Sequence, residues 1–341
     1  MTRNSKLKVA LLGLGRAGAF QLASIRSNPA VSLIHVVDTD LEKANIVSAE
    51  FACLPGATVD DALSDESVDA VIVATPTGEH YGQIVASLNA GKAVFTEKPL
   101  GNGLEEIDEC FQLAEKKGLP LFVGFNRRFD PSHASLASSV HDGEIGTPQL
   151  IRVTSRDSPL PSMDYIRTSH GIFHDCIVHD LDMIRFIAKE EPIEVYSVGS
   201  NFIPDIEALD DLDNVLVSLR FSSGLLASID VNRFASYGYD QRIEAFGNKG
   251  MVQSENRSPR STALSTETGV ARPPIEFSFP TRYQEAYRRE LDAFVECVLN
   301  ENPLPISYTD VRMSFVLSDL AERSYREGRP LAVDGSASQT T

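Results

Sequence analysis

The sequence has too few positive charges to suggest a polyanionic partner. Only 31 Lys and Arg residues stand against 48 Asp and Glu, which leaves a net charge of −17. That charge argues against a nucleic-acid groove or an anionic membrane surface, and it favours solubility. Long apolar runs are missing as well, since none approaches the ~20 residues that a membrane span needs. We therefore expect no nucleic-acid partner and no membrane partner.

Cysteine is scarce and scattered. The four cysteines, Cys53, Cys110, Cys176 and Cys297, form no CxxC pair and no zinc-type spacing. This distribution is typical of reduced, mostly buried thiols, and it predicts a cytoplasmic protein. The N-terminal residues are polar and basic and enter a strand directly, without the apolar core of a signal peptide.

A glycine-rich loop follows the first apolar run and opens a helix-type stretch. In the loop Gly13-Leu14-Gly15-Arg16-Ala17-Gly18, the first glycine allows a tight turn and the second lets backbone approach a pyrophosphate. The third lets helix and strand pack closely. Asp38 ends the second apolar run and can accept hydrogen bonds from the adenosine ribose hydroxyls. The pattern predicts NAD binding by Gly13, Gly15, Arg16, Ala17, Gly18 and Asp38; the alternative is a structural glycine turn.

A chain of 341 residues is long enough for two domains, and its secondary-structure pattern changes after residue 126. In the N-terminal part, strand-type and helix-type stretches alternate, which predicts βαβ units and a parallel sheet with helices on both faces. We place strands at 8–12, 33–37, 70–74, 93–96 and 119–125. We place helices at 17–27, 41–51, 83–89 and 104–117.

After residue 126, strand-type runs come in succession, which implies an antiparallel or mixed sheet. Strands are predicted at 149–154, 194–202, 214–221, 225–231 and 241–246, with helices at 132–141, 170–188, 283–300 and 309–327. The fold class is therefore α/β: a Rossmann dinucleotide-binding domain over 1–125, then an α+β domain over 126–335 on a large mixed, mostly antiparallel sheet. The last helix could pack back on the first domain. Residues 254–280 read as an exposed excursion and 336–341 as a frayed tail.

Lys98 directly follows a predicted parallel strand, in Glu97-Lys98-Pro99. Ligands of doubly wound sheets lie beyond the carboxyl ends of the strands, so this lysine would point toward the nicotinamide end of a bound cofactor. Pro99 restricts Lys98 to an extended conformation, which aims the side chain. The alternative is a solvated surface lysine.

A second cluster of polar residues lies in the segment 173–182. Asp175, His179 and Asp182 are spaced i, i+4, i+7 and would share one face of a helix. A carboxylate one turn from an imidazole suits a general base near neutral pH. Three alternatives stay open: a metal site from His174, Asp175 and His179, a polar face turned to solvent, and a core histidine paired with aspartate for structural reasons.

Further polar candidates follow predicted strands. Arg127, at the end of the fifth strand, can bind a polyol or form a salt bridge between domains. Asp157 follows the first strand of the second domain, and Tyr237 precedes a later one.

Several segments resemble the glucose–fructose oxidoreductase / inositol dehydrogenase / rhizopine-catabolism family. They are GLGRAG, ATPTGEH at 74–80, EKPL at 97–100, GFNRRFD at 124–130 and HDCIVHDLD at 174–182. The likeness spans Lys8 to about Pro330. Within the family, SRDSP (155–159), YGYDQRIEAFG (237–247) and RYQEAYRRELDAF (282–294) are most similar to inositol 2-dehydrogenases. His170, His174 and Cys176 depart from the usual pattern, which puts substrate identity in doubt more than reaction type.

The resemblance implies a two-domain enzyme with its active site between the domains and a catalytic group of Lys98, Asp175 and His179. It extends the cofactor site to Thr75, Pro76, His80, Glu97 and Lys98. It also implies a homo-oligomer, a tetramer or dimer formed through the second-domain sheet. The substrate site would comprise Lys98, Arg127, Asp157, Asp175, Cys176, His179 and Tyr237.

We therefore predict that the protein is an NAD-dependent dehydrogenase of a cyclic polyol, with myo-inositol as the favoured substrate. His179 would be the general base, and no metal would be needed because Lys98 supplies the positive charge. One alternative is a dehydrogenase of another sugar, a pyranose or an aminosugar. The other is a silent NAD-binding regulator, against which the intact Lys98, Asp175 and His179 argue.

Overall fold

The computed structural model describes residues 6–333, so the predicted frayed tail at 336–341 lies outside the described residues. The chain divides into two compact units. Among the described residues, unit 1 contains residues 6–129 together with Gln284–Arg312, and unit 2 contains Asp130–Tyr283 and residues 313–333. The sequence suggests one domain boundary after residue 125 and a last helix that could pack back on the first domain. In the structure, it is residues 284–312 that belong to unit 1.

Unit 1 is built on a six-stranded parallel sheet with the strand order 3-2-1-4-5-6. The fourth and sixth strands along the chain are apolar and buried throughout, as expected for a parallel sheet covered by helices on both faces. This sheet confirms the predicted Rossmann fold. The strands are β1 (Leu7–Leu12), β2 (Val31–Val37), β3 (Leu54–Gly56), β4 (Ala70–Val73), β5 (Ala93–Glu97) and β6 (Leu121–Gly124).

The helices of unit 1 alternate with these strands. They are α1 (Arg16–Ser27), α2 (Leu41–Phe51), α3 (Val59–Leu63), α4 (Thr77–Asn89), α5 (Leu104–Lys117) and a 3₁₀ helix over Asn126–Phe129. Helix α4 begins at Thr77 and not at the predicted residue 83. Gly78 and Gly82 lower helix propensity there, so the sequence pattern hides the first turns. The sequence also gave no signal for β3 and α3, which are three and five residues long.

Unit 2 is built on a seven-stranded mixed sheet with the order β12-β11-β7-β10-β9-β8-β15, in which only the β7–β10 pair is parallel. The predicted mixed, mostly antiparallel sheet is confirmed. Its strands are β7 (Pro148–Arg156), β8 (Pro192–Ser200), β9 (Asn214–Phe221), β10 (Leu226–Asn232), β11 (Asp240–Gly247), β12 (Gly250–Ser254) and β15 (Leu331–Ala332). The predicted excursion carries a separate exposed hairpin of β13 (Leu264–Thr266) and β14 (Gly269–Ala271).

The two faces of the unit 2 sheet differ in burial. Strand β9 alternates strictly: Val215 and Val217 join the hydrophobic core, while Leu216 and Ser218 are exposed. Cross-strand pairing puts several exposed large apolar side chains on the open face with Leu216. They are Tyr196, Val198, Leu226, Phe246 and Met251.

Helices cover the core face of the unit 2 sheet, with α6 and α8 packing on its strands. The helices after residue 129 are α6 (Pro131–His141), α7 (Met163–Thr168), α8 (Val178–Ala188), α9 (Pro204–Glu207), α10 (Phe279–Arg282), α11 (Gln284–Asn300) and α12 (Tyr308–Glu327). A π-helical segment, Phe173–Ile177, directly precedes α8. Helix α11 belongs to unit 1, where it packs on α1.

Candidate active site

The loop between β1 and α1 has the shape that close approach of a phosphate requires. Gly13 has φ +89°, and a Cβ there would lie 2.7 Å from the Ala74 carbonyl oxygen. A Cβ on Gly18 would lie 2.1 Å from the Gly13 carbonyl oxygen, so helix and loop can pack only without it. A Cβ on Gly15 meets nothing within 4 Å, which leaves open space at the N-terminus of α1. The loop therefore fits a pyrophosphate held by N–H groups.

Asp38 lies against the same loop. Its Oδ2 accepts a hydrogen bond from the Leu14 N–H at 2.8 Å, and its Oδ1 accepts one from the Asp40 N–H at 2.9 Å. The Lys43 ammonium lies 3.9 Å from Oδ2. The structure thus brings Asp38 to the glycine loop and the first turn of α1, where Arg16 and Ala17 lie. Main-chain donors thus hold its carboxylate beside the glycine loop.

His80 links two loops at the carboxyl end of the sheet. Its Nε2 lies 2.8 Å from the Thr75 carbonyl oxygen and its Nδ1 lies 2.7 Å from the Pro99 carbonyl oxygen. The ring is buried, and burial lowers the pKa of His80 against the opposing effect of the two carbonyls. Its ring nitrogens therefore contact main-chain oxygens, and His80 ties the loop at Thr75 to the loop at Pro99.

Glu97 and Lys98 lie at the carboxyl end of β5, the edge of the sheet that the glycine loop also occupies. The Glu97 carboxylate accepts a hydrogen bond from Gln21 of α1 at 2.8 Å. Burial raises the pKa of Glu97 to about 7, although the Gln21 hydrogen bond and the Lys98 charge oppose that shift. The half-buried Lys98 leaves β5 at the place where ligands of doubly wound sheets bind.

The segment that carries Asp175 and His179 is not a regular α-helix. The sequence predicts one helix over 170–188, but Phe173–Ile177 is π-helical before α8 begins. A π turn changes the angular spacing on which the i, i+4, i+7 pattern depends. Asp182 lies near Ser314 of α12, whose Oγ is 3.5 Å from its Oδ1, whereas Asp175 has other partners. Such π segments are frequent at functional sites.

Side chains from distant parts of unit 2 hold the Asp175 carboxylate. Its Oδ1 accepts a hydrogen bond from the Tyr165 hydroxyl at 2.8 Å, and its Oδ2 pairs with the Arg233 guanidinium at 3.0 Å. Arg233 also pairs with Asp211 at 2.7 Å. The sequence analysis missed Tyr165, Asp211 and Arg233. One signal for Arg233 existed, because it continues the inward-facing alternation of Ala227, Ile229 and Val231 in β10.

Two predicted substrate residues lie beside Asp175. The Cys176 Sγ is 3.7 Å from the Asp157 carboxylate and 3.9 Å from the Asp175 carboxylate. His179 lies in the first turn of α8 and is half-buried. The structure therefore brings together Asp157, Asp175 and Cys176 within unit 2.

Tyr237 belongs to a different polar cluster of unit 2. Its hydroxyl donates to Asp240 at 2.6 Å and accepts from Arg156 at 3.1 Å. Arg156 also pairs with Asp230. Arg127 lies in unit 1, buried in the 3₁₀ helix, while the neighbouring Arg128 pairs with Asp310 at 2.9 Å.

His174 faces α12 and not Asp175. Its Nε2 is 3.4 Å from Asp319, and its ring lies 4.8 Å from that of Phe315. Within residues 6–333, no group of three His, Cys, Asp or Glu side chains is arranged to hold a metal ion. Over the same residues, no helix combines the length and apolarity that crossing a membrane requires.

The parallel 3-2-1-4-5-6 sheet, the glycine loop and the aspartate held beside it are the features of an NAD-binding Rossmann domain. Comparison with known families agrees. Residues 7–125 match the oxidoreductase family with an NAD-binding Rossmann fold, GFO/IDH/MocA, and residues 133–253 match the C-terminal domain of the same family. The chain belongs to the GFO/IDH/MocA oxidoreductase family.

Individual relatives are similar over nearly the whole chain. An inositol 2-dehydrogenase of Rhizobium meliloti (strain 1021) is 37% identical over 96% of this chain and 99% of its own length. A myo-inositol 2-dehydrogenase of Thermotoga maritima is 36% identical over 96% of this chain and 99% of its own length. The structure of scyllo-inositol dehydrogenase from Lactobacillus casei, solved with NAD(H) and scyllo-inositol, has a TM-score of 0.90 and 27% sequence identity. The match covers 96% of this chain and 99% of that one.

Proposed function

We propose that this protein oxidises a secondary alcohol of a cyclic polyol, with myo-inositol giving the 2-keto product scyllo-inosose. The observation that carries the substrate class is likeness over 96% of the chain to relatives named as inositol 2-dehydrogenases. The presence of Lys98, Asp175 and His179 supports catalysis over a silent regulator, because a protein that only bound NAD would have no chemical need for all three.

The glycine loop would hold the pyrophosphate of NAD and Asp38 the adenosine ribose. The further predicted cofactor residues are Arg16, Ala17, Thr75, Pro76, His80, Glu97 and Lys98. When bound, NAD supplies a hydride acceptor for the alcohol carbon. The open space at Gly15 and the main-chain donors to Asp38 support this assignment.

His179 would remove the hydroxyl proton at an unprotonated imidazole nitrogen. Asp175 would hold the ring and favour its protonated form after the transfer. The Lys98 ammonium would donate a hydrogen bond to the reacting oxygen and stabilise its developing negative charge. The hydrogen bond from Tyr165 and the ion pair with Arg233 support an ionised Asp175.

The remaining hydroxyl groups of the polyol would be bound by Arg127, Asp157, Cys176 and Tyr237. Asp157 and Cys176 are supported by their proximity to Asp175. Tyr237 already donates its hydroxyl hydrogen to Asp240 and accepts from Arg156. Its oxygen has two lone pairs, so it would act toward a substrate hydroxyl as an acceptor.

We further propose a homo-oligomer, a tetramer or dimer, assembled through the open face of the unit 2 sheet. The apolar side chains exposed there, Leu216, Leu226 and Phe246 among them, support an interface of this kind. A cytoplasmic location is supported by the four free thiols. Light scattering coupled to size exclusion measures the assembly, and a monomer would contradict it.

The test is NAD reduction followed at 340 nm with myo-inositol, scyllo-inositol, glucose and an aminosugar as separate substrates. We expect the highest kcat/KM with myo-inositol. Greater efficiency with glucose or the aminosugar would replace the substrate but keep the reaction type. NAD binding with no turnover on any of the four would contradict the proposed reaction and favour a regulator.

A further inference from the structure

Arg233 is the largest fully buried side chain in the part of the chain that the structure describes, residues 6–333. It lies just after β10, and its backbone N–H donates to the Asp213 carbonyl at 2.9 Å. A buried guanidinium is costly unless carboxylates pair with it. Here two do: Asp175 at 3.0 Å and Asp211 at 2.7 Å.

Asp211 anchors this arrangement to the start of the helix that carries Asp175. Its Oδ1 accepts a hydrogen bond from the Ile172 N–H at 2.9 Å, immediately before the π segment. Gly171, with φ +78°, gives the backbone the turn that presents this N–H. Arg233 therefore connects the end of β10, the segment before β9 and the π segment.

The charges in this triad explain why Arg233 is needed. Asp175 and Asp211 are each about nine-tenths buried, and without a cation between them their like charges would favour binding of a proton by one of them. Burial opposes the charge on Arg233, but Cys176, Asp175 and Asp211 outweigh it and raise the pKa of this guanidinium further. The triad thus places one buried positive charge between two buried carboxylates.

We propose that Arg233 is a positioning residue for the dehydrogenation: it keeps Asp175 ionised and fixes the orientation of its carboxylate, with Asp211 as its second anchor. The role in turnover rests on the proposed function, because it acts through Asp175 and His179. The ionisation of Asp175 by Arg233 does not depend on that function.

The charged and titratable groups around Asp175 come from several elements. Tyr165 from α7 donates to it, and Arg233 pairs with it from the end of β10. Asp157 approaches through Cys176, and His179 lies one turn further along its own helix. Asp211 acts through Arg233. Removal of Arg233 takes the buried cation away from Asp175 and leaves the hydrogen bond from the Tyr165 hydroxyl in place.

The first experiment measures ionisation directly. The carboxyl ¹³C resonance of Asp175, assigned with Asp175→Asn, is titrated in the wild type and in Arg233→Met. We expect the Asp175 pKa to rise by about two units or more in Arg233→Met, and to stay near the wild-type value in Arg233→Lys, which keeps the charge. An unchanged Asp175 pKa in Arg233→Met would overturn the proposal whatever the substrate is.

The second experiment uses the polyol that the wild type oxidises. We expect Arg233→Met to lower kcat about 100-fold at pH 7, chiefly because the Asp175 carboxylate is no longer held in position, with a further fall toward lower pH as Asp175 binds a proton, and to leave the NAD dissociation constant unchanged. Arg233→Lys should restore most of the wild-type pH profile. If Arg233→Met does not fold, Asp211→Asn replaces it and should lower kcat more mildly in the same direction.

Arg185→Met is the matched control. Arg185 is also buried and pairs with a carboxylate, Glu191, at 2.5 Å, but it lies in the last turn of α8, away from Asp175. It should lower thermal stability and keep the kcat and its pH profile. Equal behaviour of the two arginine variants, a lower melting temperature with an unchanged pH profile, would reduce Arg233 to a structural role. A wild type without turnover would contradict the proposed function, and the ¹³C titration would still decide the ionisation claim.

Discussion

Units 1 and 2 hold their key carboxylates by opposite means. Asp38 in unit 1 accepts from main-chain N–H groups of Leu14 and Asp40, within the βαβ unit that contains it. Asp175 in unit 2 is held by the side chains of Tyr165 and Arg233, which lie 10 and 58 residues away. A main-chain site depends on local backbone shape, whereas a side-chain site depends on which distant residues the fold brings together.

This difference leads us to expect separable effects: changes at the glycine loop and Asp38 should alter NAD binding, and changes at Lys98, Asp175 and His179 should alter turnover. The largest effect should come from His179→Ala, which removes the proposed base and should lower kcat about 10²- to 10⁴-fold with little change in NAD affinity. Lys98→Met should act in the same way. Kinetics at 340 nm and calorimetric NAD titration measure both quantities, and near-normal turnover in either variant would remove its assigned role.

Two glycine variants sharpen the comparison inside unit 1. Gly18→Ala places a Cβ 2.1 Å from the Gly13 carbonyl oxygen, so we expect a loss of about 3 kcal/mol of stability even without NAD. Gly15→Ala meets no atom within 4 Å and should keep the melting temperature while weakening NAD binding. Melting curves with and without NAD separate the two. Equal destabilisation by both would show that Gly15 has no role in cofactor approach.

Asp38 should decide between NAD and NADP. Its carboxylate would repel a 2′-phosphate, so we expect kcat/KM with NAD to exceed that with NADP by about 100-fold, a difference of about 2.7 kcal/mol. Asp38→Ser should narrow the ratio, helped by the nearby Lys43 ammonium. Asp40→Asn is the control, since Asp40 caps α2 and its amide oxygen can still accept from Lys43 N–H. Comparable wild-type efficiency with both cofactors would refute the role of Asp38.

The smallest expected effect is a change in the pH dependence of stability. Glu290 of α11 is fully buried, and neither carboxyl oxygen has a hydrogen-bond partner among the described residues. Burial, with the Glu97 charge as a second cause, raises the pKa of Glu290 well above its usual value. The folded protein therefore keeps protons that the unfolded chain releases above its carboxyl pKa near 4.5. The stability contributed by this retained proton is fully present below that pH and is lost as the pH rises above it.

For each such proton, the free energy of unfolding falls by about 1.4 kcal/mol per pH unit. Glu290→Gln should match the wild type at pH 5 and lose less stability toward pH 8. Glu285→Gln, an exposed change on the same helix that removes the partner of Arg289, should follow the wild-type slope. Melting temperatures from pH 5 to 8 measure this, and parallel curves for wild type and Glu290→Gln would contradict the assignment.

Local sequence patterns predicted much of the fold. Strand β9 matches its predicted range of 214–221, and α5 matches 104–117, because each has a clear period and a clear end. The short β3 and α3 gave too few residues for a period to show. The π segment escaped prediction since an α-helical pattern and a π turn have similar composition but different hydrogen bonding.

The candidate site divides in the same way. Gly13, Gly18 and Asp38 could be assigned from spacing, and the structure gives each a steric or hydrogen-bonding reason. Asp175 was predicted, but Tyr165 and Arg233, which hold its carboxylate, were not. Arg233 had no nearby sequence cue beyond its place in the alternation of β10, and Asp211 lies in a loop before β9.

By itself, the sequence determined the NAD-type loop, the parallel sheet around it and the residue types available for hydride chemistry, because these depend on short-range backbone rules. Tertiary structure alone decided which charges neutralise one another. Only the fold places the Arg233 guanidinium between Asp175 and Asp211, because Coulomb attraction depends on distance in space, not on separation along the chain.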